Sequence, residues 1–215
     1  MGTQMKRCII LASAPVHDYR ALEFSSQPGD YVICADNGLE HARNLGLSPN
    51  LIVGDFDSCD LEQFSVAEHE LIRYPSEKDD TDTMIAVKEG IHRGLKEFVF
   101  LGCLGGRIDH TIANIQSLLY LRENGCNGTL IDENHRIFLL CDESAEVAGI
   151  PGFHLSVFSL SERCEGVTLE RVKYPLQDAL LTNSFPLGIS NEFLTDSAGV
   201  TIKKGCALVI LSSDA

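Results

Sequence analysis

The chain has 215 residues, 44% hydrophobic and 22% charged, with a formal net charge of −14. That length and balance allow a globular protein of one large or two small domains and exclude a disordered one. The acidic excess argues against nucleic acid or an anionic membrane as main partner, so any phosphate handled here needs metal or a few local basic side chains.

No apolar run reaches the length of a membrane span, and the N-terminus lacks the shape of a signal peptide. Eight cysteines include no C-x-x-C pair, and Cys8, Cys34, Cys103 and Cys206 sit inside apolar runs. Buried free thiols in a reducing, cytoplasmic compartment are therefore expected.

In chain order, Cys8–Leu11 reads as a first short strand, followed by the loop Ala12–Pro15. Tyr31–Ala35 is a second strand ending in Asp36-Asn37-Gly38. Leu39–Leu45 is helix-compatible and closed by Gly46, with Pro49 beyond. Leu51–Val53 is a third strand, broken by Gly54 and followed by Asp55 and Asp57. In extended backbone an i, i+2 spacing puts both carboxylates on one side. At roughly 4 Å they repel by about 4 kcal/mol for an effective dielectric near 20, which an oxygen-preferring cation such as Mg²⁺ relieves.

Glu70–Tyr74 is a fourth strand and delivers Lys78-Asp79-Asp80-Thr81-Asp82. A helix is expected from Thr81 to His92, capped by Thr81 or a nearby aspartate. Phe98–Leu101 is a fifth strand delivering Gly105-Gly106-Arg107, whose backbone N–H groups and guanidinium suit phosphate oxygens at a helix start. Asp109–Glu123 then reads as a long helix, with Asp109 and His110 at its start and Ile112, Ile115, Leu118 and Leu119 as its apolar face. Strands alternating with helices predict a mainly parallel sheet covered on both faces, a Rossmann-like α/β domain over residues 1–125. Every polar cluster follows a strand, the edge where ligands bind in such sheets.

From Thr129 onward the segments are short and separated by turns. Phe153, Leu155 and Val157 alternate with His154 and Ser156, as in a half-buried strand. An all-β sandwich is expected over residues 126–215. The chain has neither G-x-x-x-x-G-K-[ST] nor G-x-G-x-x-G, no zinc spacing and no G-x-S-x-G. Carboxylates for Mg²⁺, with Lys78 and Arg107 to offset charge, describe phosphoryl-type transfer.

The ordered set Ala35–Gly38, Gly54–Ser58, Lys78–Asp82, Gly105–His110 and Ile189–Phe193 resembles the thiamine pyrophosphokinase family. The resemblance covers nearly the whole chain. It implies an α/β ATP-binding domain, a C-terminal thiamine-binding β-sandwich, and a homodimer with active sites between subunits. It implies Mg²⁺-dependent reaction of thiamine with ATP to give thiamine diphosphate and AMP, by in-line attack of the thiamine hydroxyl at the β-phosphorus. Asp55, Asp57 and Asp82 would hold metal and phosphates. Thr81, Arg107, Asp109 and His110 would contact nucleotide or substrate, with Lys78 and Asp79 beside them and Asp36 and Asn37 in the same cleft. Ser190 and Asn191 would reach thiamine. Asp82 and Asp109 both remain candidates for accepting the hydroxyl proton. Two departures stand out: Asn37 replaces a glycine frequent in the family, and the chain has no tryptophan where some members stack thiamine on one.

The same residues admit three other readings. They are a pyrophosphokinase for another alcohol such as a pterin, a phosphatase using Asp55 as nucleophile, and a non-catalytic Mg-nucleotide binding module.

Overall fold

The computed structural model describes residues 7–54 and 80–214, and the backbone of 70–73. Fourteen strands and three helices are assigned among the described residues, so strands dominate. The chain divides into two compact units, residues 1–133 and 134–215.

In the first unit, β1 (Arg7–Leu11), β2 (Tyr31–Ala35), β3 (Leu51–Gly54), β4 (Glu70–Arg73), β5 (Glu97–Leu101) and β6 (Asn127–Ile131) pair in parallel, in the order β6-β5-β1-β2-β3-β4. Cys8 through Leu11 are fully buried, the apolar run of a strand covered on both faces. After β4 the chain crosses back to the other side of β1. The loops after β1 and β5 therefore lie at the point where strand order reverses, and a crevice at the carboxyl edge forms there.

Three helices connect these strands: α1 (Gly38–Leu45), α2 (Asp82–His92) and α3 (Ile108–Glu123). Gly46 closes α1 in the left-handed conformation, as its position in sequence predicts. At the other end of α1, a Cβ on Gly38 would lie 2.0 Å from the Leu11 carbonyl oxygen. Only glycine lets the turn after β2 approach β1 this closely.

The buried face of α3 differs from the expected one. Asn114, Ser117, Leu118 and Leu121 are buried, whereas Ile112 is 52% exposed. The i, i+3, i+4, i+7 spacing holds, but the stripe is rotated. Two of its four positions are polar, and one of them, Asn114, hydrogen-bonds the Cys103 carbonyl in the loop after β5.

β6 was expected with the second half. It pairs in parallel with β5 from Glu97↔Asn127 to Leu101↔Ile131, and the compact units divide after residue 133. Its short apolar sequence does not distinguish a parallel edge from an antiparallel one, because pairing is set by a partner distant in sequence.

The second unit holds eight strands: β7 (His135–Cys141), β8 (Ser144–Ala148), β9 (His154–Ser159), β10 (Arg163–Glu170), β11 (Leu176–Thr182), β12 (Gly188–Asn191), β13 (Ser197–Thr201) and β14 (Cys206–Ser212). They form two antiparallel arrays, β12-β9-β14-β7 and β11-β10-β13-β8. Val157 and Val209 from the first array share one core with Val167, Leu169 and Val200 from the second.

Cys8, Cys34, Cys103, Cys126 and Cys164 are buried thiols, as expected. Cys206 faces Cys141, its direct partner across β7 and β14. A separation of 65 residues hides that register from a sequence reading.

Candidate functional site

A cavity of about 420 Å³ opens at the carboxyl edge of the parallel sheet. Asp36, Thr81, Asp82, Arg107 and His110 line it, five side chains brought together from the ends of three strands. The backbone explains each placement. Asp36 ends β2 with φ +50°, a left-handed conformation that costs a side-chain-bearing residue about 1–2 kcal/mol. Its N–H donates to the Val53 carbonyl at 3.0 Å, which ties the turn after β2 to the end of β3.

Thr81 is the N-cap of α2, and its Oγ1 accepts from the Met84 N–H at 3.2 Å. A hydroxyl that accepts one bond keeps its own proton as a donor. Asp82 is the first helical residue, where the helix dipole favours a negative charge.

Gly105 and Gly106 follow β5 with φ +82° and +63°, two consecutive left-handed residues that a side chain would strain. Arg107 is the N-cap residue of the 16-residue helix α3 and makes no side-chain bond to its backbone. The Arg107 guanidinium is not idle. Its Nε donates to Asp109 Oδ1 at 3.1 Å and its terminal nitrogen to Oδ2. That hydrogen-bonded pairing holds the Asp109 carboxyl below its usual range. Asp109 is exposed and paired rather than part of the cavity lining.

Asn37 is also exposed, its amide 3.4 Å from Glu40 Oε2, and it does not line the cavity. Asp55, Asp57, Lys78 and Asp79 lie outside the described residues. Of the three expected metal ligands, then, only Asp82 is described. No group of three or more His, Cys, Asp or Glu converges among the described residues.

Three further contributors escaped the sequence reading. Ala12–Pro15 forms one wall, and Thr83 joins the lining. Asn114 does so from α3, its Nδ2 donating to the Cys103 carbonyl at 2.7 Å and anchoring the helix to the glycine turn. A lone Asn among apolar helix residues was the available signal for it. Cys103 also borders the cavity, but burial pushes its thiol up to about 12, so it does not serve as a nucleophile near neutral pH.

In the second unit, Ser190 and Asn191 end β12 and differ in kind. Ser190 is exposed with φ +54°. Asn191 is 3% exposed: its Nδ2 donates to the Tyr174 carbonyl at 2.7 Å, and its Oδ1 accepts from the Tyr174 N–H at 2.9 Å. Asn191 thus clamps both backbone groups of Tyr174, whose side chain is 59% exposed. Tyr174 was missed because its link to Asn191 spans 17 residues.

Residues 25–130 match the thiamin pyrophosphokinase catalytic domain, and residues 141–209 match the vitamin B1 binding domain of thiamin pyrophosphokinase. A thiamin pyrophosphokinase family protein of Enterococcus faecalis, known by crystal structure, is 31% identical with a TM-score of 0.82, over 97% of this chain and all of that one. The chain belongs to the thiamin pyrophosphokinase family. Thiamine pyrophosphokinase of Bacillus subtilis is 28% identical over 98% of this chain and all of its own length. A crystal structure of the Bacillus subtilis protein superposes with a TM-score of 0.87 at 25% identity, over 98% of this chain and all of that one. Both domains of the family are therefore present, and membership makes this chain an enzyme of the thiamine pyrophosphokinase class.

Proposed function

We propose that the chain transfers the pyrophosphoryl group of ATP to the hydroxyl of thiamine, giving thiamine diphosphate and AMP. The observation that carries this reading is the convergence, on one cavity, of Asp36, Asp82, Arg107 and the Gly105–Gly106 turn with the start of α3. Phosphate oxygens suit those N–H donors and that guanidinium. In this reading the first unit is the Rossmann-like ATP-binding domain and the second the thiamine-binding β-sandwich.

The carboxylates at this edge fit a hard, oxygen-seeking cation, so Mg²⁺ would be held by Asp82 with Asp55 and Asp57. When bound, Mg²⁺ offsets the charge of the phosphates. The chain's own contribution is orientation: Thr81 donates its hydroxyl proton to a phosphate oxygen, and Arg107 exchanges Asp109 for phosphate. The thiamine hydroxyl then attacks the β-phosphorus in line, and AMP leaves. Of the two candidate proton acceptors, Asp82 lines the cavity and Asp109 does not.

Tyr174 supplies the aromatic face for thiamine in a chain without tryptophan. The thiazolium of thiamine is cationic and suits the face of an electron-rich ring. Ser190, exposed at the end of β12, would contact the same ligand. Phe185, Leu187 and Ile189 are 65%, 47% and 54% exposed around β12, an apolar surface that suits the second subunit of a homodimer. The five buried thiols suit a cytoplasmic setting, and no described helix is long and apolar enough to cross a membrane.

The test is AMP release from Mg-ATP with and without thiamine, with chromatography for thiamine diphosphate. Equal yields of AMP and thiamine diphosphate are expected. ATP binding without thiamine-dependent AMP release would transfer the assignment to a different alcohol.

A further inference from the structure

The loop Ala12–Pro15, one wall of the cavity, is held at Ala14 from both sides. The Ala14 N–H donates to the Gly102 carbonyl at 2.8 Å, and the Ala14 carbonyl lies 2.9 Å from Nε2 of His41 on α1. A carbonyl only accepts, so His41 carries a proton on Nε2. Nδ1 then accepts from the Tyr19 hydroxyl at 2.7 Å, whose oxygen accepts from Asn44 Nδ2 at 2.9 Å. With a neutral imidazole, every proton in this chain of bonds has one acceptor.

Gly102 closes the other side. A Cβ there would lie 2.7 Å from the His41 ring, so the imidazole packs directly on the start of the glycine turn. Farther along, a Cβ on Gly106 would lie 3.7 Å from Pro15, so wall and turn face each other across a narrow gap. His41 is 7% exposed and does not itself line the cavity.

We infer that His41 is a positioning residue for the nucleotide site: its Nε2–H fixes the Ala14 carbonyl and so sets the gap between the Ala12–Pro15 wall and the Gly102–Gly106 turn. The inference rests on the reading of this cavity as the ATP site. The charged and titratable groups around His41 are Tyr19 from the loop, Glu40 from its own helix, and Glu133 beyond β6, which also accepts the N–H groups of His17 and Asp18. Glu133 holds the far part of the loop but makes no bond to Ala14, so His41 is the side-chain hold on the wall nearest the nucleotide, opposite the backbone bond to Gly102.

The experiment compares full-length wild type, His41→Asn and His41→Gln by calorimetric titration with Mg-ATP, steady-state kinetics and thermal melting. Asn keeps an amide beside Tyr19 but is too short for Ala14, whereas the Gln amide nitrogen reaches to where Nε2 stands. Losing one buried hydrogen bond that only shapes the site is expected to weaken Mg-ATP binding about tenfold in the Asn variant. Its KM for thiamine stays within about twofold, and Gln restores most of the ATP affinity. Equal ATP affinity in all three proteins, or equal losses in both variants that track a fall in melting temperature, overturns the inference. Wild-type ATP binding without thiamine-dependent AMP release sinks the thiamine assignment and leaves the His41 comparison standing. No Mg-ATP binding by wild type removes both.

Discussion

The two family motif regions are built in opposite ways. In the first unit the side chains proposed to act line a cavity built from strand ends, two glycines and two helix starts, braced by Asn114 and His41. In the second unit the motif splits: Asn191 turns inward and is consumed by Tyr174, while Ser190 and the Tyr174 ring face outward. One region is a preformed container and the other a presented surface. The first is suited to fixing phosphates, whose charge demands several convergent donors. The second is suited to offering one flat, half-apolar ring to a ligand.

The largest effect that would break this contrast is expected from Asp82→Asn. The substitution keeps shape and removes one charge from the cavity. Turnover should fall on the order of 10²–10³-fold, as it does when a preorganised electrostatic group is lost. Asp57→Asn is expected to do the same. The fold should survive, since a first-turn acid contributes only about 0.3–1 kcal/mol to its helix. AMP release and thermal melts measure the two sides, and near-normal turnover in either variant would remove that aspartate from the reaction.

A smaller, more selective effect is expected on the presented surface. Tyr174→Ala should raise KM for thiamine about tenfold, the scale of one aromatic or cation–π contact of about 1–2 kcal/mol. KM for Mg-ATP should not move, and Tyr174→Phe should retain most of the affinity. Equal shifts in both KM values would show that Tyr174 acts through the fold rather than on thiamine, and the division of labour would fail.

This contrast also explains what the sequence disclosed. β1, β2, β3 and β5 are legible because each is a largely buried apolar run, and Gly46 and Thr81 mark helix ends by local chemistry alone. Asp36, Asp82 and Arg107 are legible because they follow strands. The face of α3 is not, since Ile108 and Ile112 stay exposed while Asn114 and Ser117 are buried. Hydrophobic periodicity assumes that apolar residues face the core, and here polar ones bond there instead. Tyr174, His41 and the Cys141–Cys206 pair were hidden because each acts through a partner at least 17 residues away.

The last expected effect concerns the preformed cavity under acid and sharpens the contrast by order of events. Burial pushes the His41 imidazole below its ordinary value of 6.5, against the opposing pull of the Ala14 carbonyl, Glu40 and Glu133. The folded protein therefore binds fewer protons at this site than the unfolded chain does in the window just below pH 6.5. Stability rises with pH wherever the unfolded state holds more protons, so this contribution is full above 6.5 and is lost as pH falls through the lowered folded value. In the second unit the Arg171 guanidinium holds the Glu146 carboxyl below its usual 4.5, so acid reaches that pair only later. Melting temperature should accordingly rise as the buffer moves from about pH 5 to 6.5, where an ordinary histidine titrates. The slope should flatten in His41→Gln, which has no proton to take up. An unchanged slope in that variant would place the titrating group elsewhere and leave His41 a pH-independent strut of the cavity wall.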